Sequence, residues 1–156
     1  AASGQSYAPP IDAYPVEHGQ WQVVDHVEAT ELVVTSPGGA FGAMCDSTQC
    51  NFFVEPNSGC VPMGKYPLLV NSIRRVGVVP GRCVIVRGET ARLLVMIRER
   101  KGMAEAMLSE MDLSIAFPEQ AGEMSVINVP MNGTRELLAS VMADLPKPSA
   151  KVDAVI

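Results

Sequence analysis

Four cysteines limit the folds open to this chain more than any other feature of its sequence. They are Cys45, Cys50, Cys60 and Cys83, all in the first 83 of 156 residues. An even number of cysteines in a short stretch is typical of a disulfide framework, and these cysteines lack the close spacing of structural zinc sites. We predict the disulfides Cys45–Cys50, around a short polar loop, and Cys60–Cys83, around a longer one. Free buried thiols and a metal site are the alternatives.

Disulfides persist in oxidising compartments such as the bacterial periplasm and the extracellular space. The cysteines therefore predict a periplasmic or secreted protein whose signal peptide has been removed. The opening Ala-Ala-Ser-Gly-Gln is similar to the end that signal cleavage leaves, although any other small polar start would look the same. The apolar runs are too short to cross a bilayer, so we expect no transmembrane segment.

Short apolar runs separated by proline and glycine predict a mainly β fold. We expect about eight short strands and two short helices, arranged as a β-sandwich or a curled barrel. Turn residues predict a hairpin across 87–90 and a turn at Pro80–Gly81. Methionines four apart predict a helix over 103–111, and a last helix begins near Asn132 and ends at Pro146.

The same pattern gives the domain organisation. Residues 1–18 contain three prolines and little periodicity, which predicts an extended N-terminal arm. Residues 19–146 form a single β-rich domain, and residues 147–156 form a C-terminal tail.

Positive charge is concentrated in the middle of the chain. The net charge is −5, yet residues 65–101 contain nine of the twelve Lys and Arg residues and only two acids. One interpretation is a binding site for a protein or an anionic envelope component, with Arg82, Arg92 and Arg98 as the candidate residues. The other, which we favour, is that acids on adjacent strands neutralise these arginines. The candidate acids are Glu28, Glu31 and Glu123.

The sequence offers little support for other functions. An acidic chain with 5% aromatic residues argues against nucleic-acid binding. Its two histidines, His18 and His26, do not have a recognised metal-ligand spacing, and neither a Gly-x-Ser-x-Gly motif nor a phosphate-binding P-loop is present. We therefore predict no catalytic residues, no metal, no cofactor and no enzymatic activity. The oligomeric state is left open.

The C-terminal third resembles a known family. Leu113-Ser-Ile-Ala-Phe117, a short turn, Met124-Ser-Val-Ile-Asn-Val-Pro-Met-Asn-Gly133 and an amphipathic helix are similar to the end of the invasion-associated locus B family. The early Gly19-Gln20-Trp21 and the Cys45–Cys50 loop also resemble that family. The chain differs from it in lacking a cysteine shortly after the tryptophan and in the position of the cysteine loop.

The resemblance implies a β-sandwich of the bacterial envelope with no catalytic residues. On this basis we expect a non-enzymatic envelope or secreted binding protein that acts in host interaction or virulence. The alternative is a structural subunit of an envelope or secretion assembly.

Overall fold

The computed structural model describes residues 21–73, 76–88, 90–119 and 122–144. The predicted N-terminal arm, the C-terminal tail and the helix stop at Pro146 lie outside these residues. The described part of the chain contains nine strands and two helices. They are β1 (Gln22–Asp25), β2 (Thr30–Ser36), β3 (Gly39–Cys45), β4 (Cys50–Pro56), β5 (Lys65–Ser72), β6 (Val76–Arg87), β7 (Ala91–Ile97), α1 (Arg100–Leu108), β8 (Leu113–Pro118), β9 (Met124–Val129) and α2 (Thr134–Asp144).

The nine strands form one antiparallel sheet in the order β9-β8-β5-β6-β7-β4-β3-β2-β1. The sheet is open but curled, because its two ends approach each other. The backbone N–H of Asn128 in β9 donates to Oγ of Ser36 in β2 (3.2 Å). Nε1 of Trp21, just before β1, donates to the carbonyl of Pro130, just after β9 (2.7 Å). The mainly β fold class with two short helices is therefore confirmed.

The core lies on the inner face of the curled sheet, where alternate residues of β5, β8 and β9 are buried, while β3 is buried at nearly every position. Phe41 and Phe52 stack there with ring centroids 6.2 Å apart, and Trp21 meets Phe41 edge-on at 6.1 Å. The two helices pack against the same core through apolar side chains, namely Met103, Ala106, Met107, Leu137, Leu138 and Val141.

The predicted turn at Pro80–Gly81 is wrong, because β6 runs through both residues without interruption. Pro80 lies opposite Pro67 of β5. Each strand also pairs with a second neighbour, but only beyond its proline. β5 pairs with β8 through residues 69–72, and β6 pairs with β7 through residues 81–87. The missing N–H groups therefore cost no ladder hydrogen bond, and β6 changes neighbours here instead of turning back.

The predicted hairpin across 87–90 is confirmed, since Arg87 pairs with Ala91. The helix predicted over 103–111 begins and ends three residues earlier. It begins at Arg100 because the Glu99 carboxylate accepts the backbone N–H of Gly102 (2.9 Å), which caps the first turn. Glu110, at φ 55°, has left the helical conformation.

Both predicted disulfides are confirmed. Cys45 and Cys50 are a cross-strand pair of β3 and β4, and they close the short loop between these strands. Cys60 is bonded to Cys83 of β6. Two disulfides indicate an oxidising, non-cytoplasmic compartment.

Candidate functional site: a cationic cleft on the outer face

The three arginines predicted as a binding site do not lie together. Arg82 and Arg92 are on the same face of the sheet, but Arg92 pairs with Val86, four positions along β6 from Arg82. That spacing is about 13 Å. Arg98 follows β7, and its backbone N–H donates to the carbonyl of Pro80 (3.0 Å). The structure therefore brings Arg82 and Arg98 to one place and Arg92 to another.

Arg92 is the centre of an internal ion cluster. Its Nη1 and Nη2 donate to the two carboxylate oxygens of Glu31 (2.9 and 2.8 Å), and its Nε and Nη2 donate to those of Glu55 (3.2 and 2.8 Å). The guanidinium carbon lies 5.9 Å from the centroid of the Phe53 ring. Nε2 of His26 is 2.8 Å from Oε1 of Glu31. All three guanidinium nitrogens of Arg92 donate to carboxylates of this chain, so this arginine is structural.

Glu31 is only 2% exposed, which makes its charge dependent on these partners. Burial raises the pKa of Glu31, but hydrogen bonds from Arg92 and His26 outweigh that effect and hold the pKa below its ordinary value of 4.5. The predicted pairing of Glu31 with a central arginine agrees with these contacts, but β2, which carries Glu31, is not adjacent to β7 as that prediction required. Glu28 and Glu123 make no ion pair with a described residue.

Arg82 and Arg98 line a cleft of about 540 Å³ together with Lys65. Lys65 and Arg82 are opposite each other on β5 and β6, so their side chains leave the sheet on the same face. The other lining residues are Tyr66, Pro67, Val78, Pro80 and Gly81. The cleft therefore combines a cationic rim with an apolar floor.

The cations of the cleft are not neutralised by the described part of the chain. Lys65, Arg82 and Arg98 make no ion pair with a described residue. Nε of Arg82 is buried and has no hydrogen-bond partner among those residues. Buried donors are nearly always paired in folded proteins, so an unpaired guanidinium donor at a cleft marks a place where an acceptor is needed.

Local structure holds the cleft in shape. Cys83 follows Arg82, its backbone N–H donates to the carbonyl of Gly64 (2.9 Å), and its carbonyl accepts the N–H of Met63 (2.8 Å). The Cys60–Cys83 disulfide joins the other end of this loop to the same residue. The loop before Lys65 is therefore fixed to the segment of β6 that carries Arg82.

Gly81 is required where β6 passes the cleft. A Cβ atom at this position would lie 2.6 Å from Cγ1 of Val95 on β7 and 3.3 Å from the carbonyl oxygen of Tyr66 on β5. A residue with a Cβ atom would therefore displace the Val95 side chain and crowd the Tyr66 carbonyl, and glycine avoids both contacts.

Sequence reasoning missed Lys65 as a member of the site. It was counted among the basic residues, but only the pairing of β5 with β6 places it beside Arg82. The predicted turn at Pro80–Gly81 would have ended β6 before Arg82, so the sequence did not predict this pairing.

Chemically, the cleft is suited to holding an anionic group. Three cationic side chains line it, and guanidinium groups bind carboxylate or phosphate oxygens with two parallel hydrogen bonds. Elsewhere in the described ranges, no group of three or more His, Cys, Asp and Glu side chains is arranged to hold a metal ion. No helix within those ranges is long and apolar enough to span a bilayer.

Comparison with protein-family models, with curated proteins and with solved structures gave no match to this chain. The resemblance to the invasion-associated locus B family therefore stays a prediction.

Proposed function

We propose that the protein is a non-enzymatic binding protein of the cell envelope or the extracellular space, and that the cationic cleft holds an anionic group of its partner. The observation that carries this proposal is the buried, unpaired Nε of Arg82 beside Lys65 and Arg98. The rest of the cleft is apolar, so its lining provides binding groups and no nucleophile positioned beside a general base.

The charge distribution supports the same function. The chain has a net charge of −5. Within the basic stretch 65–101, Arg92 forms ion pairs with Glu31 and Glu55. The cleft cations are left without such acids. A cationic site on an acidic protein attracts anionic partners locally without making the whole surface adhesive to polyanions.

The test uses inorganic tripolyphosphate as a soluble anionic probe and calorimetry at low salt. We expect the parent protein to bind it, with affinity falling as salt is added because exposed charges are screened. The double variant Arg82→Gln/Arg98→Gln should bind at least about tenfold more weakly, the equivalent of about 1.4 kcal/mol. The control, Arg87→Gln/Arg135→Gln, removes the same charge from exposed positions outside the cleft lining and should bind like the parent. No binding by the parent, or equal loss in both variants, would refute the proposal.

The second candidate is a structural subunit of an envelope assembly. It is favoured by a different observation, the exposed apolar residues on the outer face of the sheet, which an assembly would cover. Native mass spectrometry distinguishes the two, because an assembly subunit forms defined oligomers whereas the binding protein stays a monomer until its partner is added.

A further inference from the structure

The outer face next to the cleft is apolar over four adjacent strands. The strand register aligns Val126 of β9 with Ala116 of β8, Ala116 with Leu69 of β5, and Leu69 with Val78 of β6. These residues form one row across the sheet, and all of them point away from the core. Met124 and Pro118 are paired beside this row, as are Pro67 and Pro80.

The row is open to solvent. Val78 is 64% exposed and Val126 is 47% exposed, while Ile73, after the end of β5, is 90% exposed. Isolated surface hydrophobic residues need no explanation, but neighbouring ones on one face mark an interaction surface. We call this set the apolar face: Pro67, Leu69, Val76, Val78, Pro80, Ala116, Pro118, Met124 and Val126.

The outward positions of these four strands carry positive charge only, while Glu119 and Glu123 lie between β8 and β9 at the same end as Lys65. None of the outward positions of β5, β6, β8 and β9 is an acid, although the protein is acidic overall. Lys65, Arg82 and Arg98 stand at one end of the face, where Pro67, Val78 and Pro80 also form the floor of the cleft. The opposite end has a row of small polar residues, Asn71, Ser114 and Asn128.

Exposed apolar side chains beside cations favour the interface of an anionic bilayer, where apolar side chains enter between head groups and cations meet phosphates.

We infer that the occupant of this surface is an anionic lipid membrane: the cleft binds phosphate head groups, and the apolar face enters the interfacial layer beside them. This inference rests on the proposed anion-binding function of the cleft and specifies its partner. Charge complementarity selects the lipid surface, because the outward positions of the four strands offer cations and apolar groups together and no carboxylate that an anionic bilayer would repel. A soluble anion would use the cations alone and leave the apolar face without a role.

Vesicle sedimentation with the full chain tests the inference. The probes are vesicles of phosphatidylcholine alone and vesicles with about one-third phosphatidylglycerol. We expect the parent to bind the anionic vesicles at least tenfold more tightly than the neutral ones, and binding to weaken as salt is added. The variant Leu69→Gln/Val126→Gln changes two residues of the apolar face that do not line the cleft. It should lose at least tenfold in vesicle affinity yet bind tripolyphosphate like the parent. The variant Arg82→Gln/Arg98→Gln should lose both activities.

The matched control is Ile85→Gln/Leu108→Gln, which changes two apolar residues of similar exposure outside the apolar face. It should bind vesicles like the parent. If the parent binds tripolyphosphate but not vesicles, or if Leu69→Gln/Val126→Gln binds vesicles normally, the lipid inference is wrong and the anion-binding cleft stands. If the parent binds neither probe, the proposed function fails as well. If the parent forms oligomers without vesicles and Leu69→Gln/Val126→Gln does not, the apolar face binds a second copy of the chain instead.

Discussion

Arg92 shows how a single arginine can look like a binding residue and be a structural one. Its guanidinium is held by two carboxylates, Glu55 on the neighbouring strand β4 and Glu31 on β2, and Glu31 is almost completely buried. Removing one partner from a buried pair is costly because the remaining charge is left without compensation. Arg92 therefore stabilises the fold mainly by compensating the buried charge of Glu31.

The variant Arg92→Ala should lose about 3 kcal/mol of unfolding free energy at neutral pH, since it strands the Glu31 carboxylate in the fold. Urea unfolding measures this loss. Arg87→Ala is the control, because Arg87 is exposed and makes no ion pair with a described residue, and it should change the stability by less than about 0.5 kcal/mol. A similar small change for both variants would contradict the structural role of Arg92.

Glu31 also predicts how stability responds to acid. Its pKa is lower in the folded protein than in the unfolded chain, so the ionised form favours folding. The resulting stability is fully present above the ordinary value of 4.5 and is lost as pH falls below it through the folded pKa. Urea unfolding of the parent and of Glu31→Gln between pH 6 and about pH 3 should give curves that differ most at pH 6 and converge in acid. Parallel curves would show that Glu31 does not contribute.

At the scale of elements, the two disulfides should differ in what they stabilise. Cys60–Cys83 closes a longer loop than Cys45–Cys50, and the chain-entropy model gives about 3.4 kcal/mol for the longer loop and about 2.2 kcal/mol for the shorter one. The loop held by Cys60–Cys83 also precedes Lys65 in the cleft. Removal of the Cys60–Cys83 disulfide should therefore lower both the stability of the protein and its binding of anions.

We expect Cys60→Ala/Cys83→Ala to lose about 3 kcal/mol of stability and to bind tripolyphosphate more weakly under conditions where it is still folded. The matched variant Cys45→Ala/Cys50→Ala should lose less stability and keep its binding, because its loop is not part of the cleft. Urea unfolding and calorimetry give the two readouts. Normal binding by the folded Cys60→Ala/Cys83→Ala variant would contradict the link between this disulfide and the site.

The same elements show what the sequence could and could not predict. The disulfide pairs and the β class followed from local patterns, since cysteine spacing and short apolar runs are visible along the chain. The course of β6 was not predictable from its own residues. A Pro-Gly pair is tolerated inside a strand only where no neighbouring strand needs a hydrogen bond from the proline nitrogen. That information lies in the partner strands, not in residues 76–87 themselves.

The candidate site was hidden for the same reason. Alternation along one strand tells which residues share a face. Only the register between strands brings Lys65 to Arg82 and moves Arg92 into contact with Glu31. Non-local pairing of this kind decides which of several similar arginines are available for a partner.

At the scale of the whole molecule, the fold depends on joining the two ends of one curled sheet. β1 and β9 are its terminal strands, and they are far apart in the chain. Trp21 spans them through its hydrogen bond to the carbonyl of Pro130, while its ring packs on Phe41 in the core. Unpaired sheet edges favour association with other chains, so this closure also protects β9.

The last prediction follows from that closure. Trp21→Phe keeps an aromatic ring in the core but removes the Nε1–H donor, which should cost about 2 kcal/mol through the lost hydrogen bond and the smaller ring. Phe52→Leu, at a buried position in the centre of the sheet, is a control of similar expected cost. Hydrogen exchange then distinguishes local opening from a uniform loss of stability. We expect the amide of Asn128 and its neighbours in β9 to exchange faster in Trp21→Phe than in Phe52→Leu at matched global stability, because only the first variant releases the end of the sheet. Equal exchange of β9 in the two variants would mean that the edges stay together without Trp21 and that the contact between Ser36 and Asn128 is sufficient to hold them.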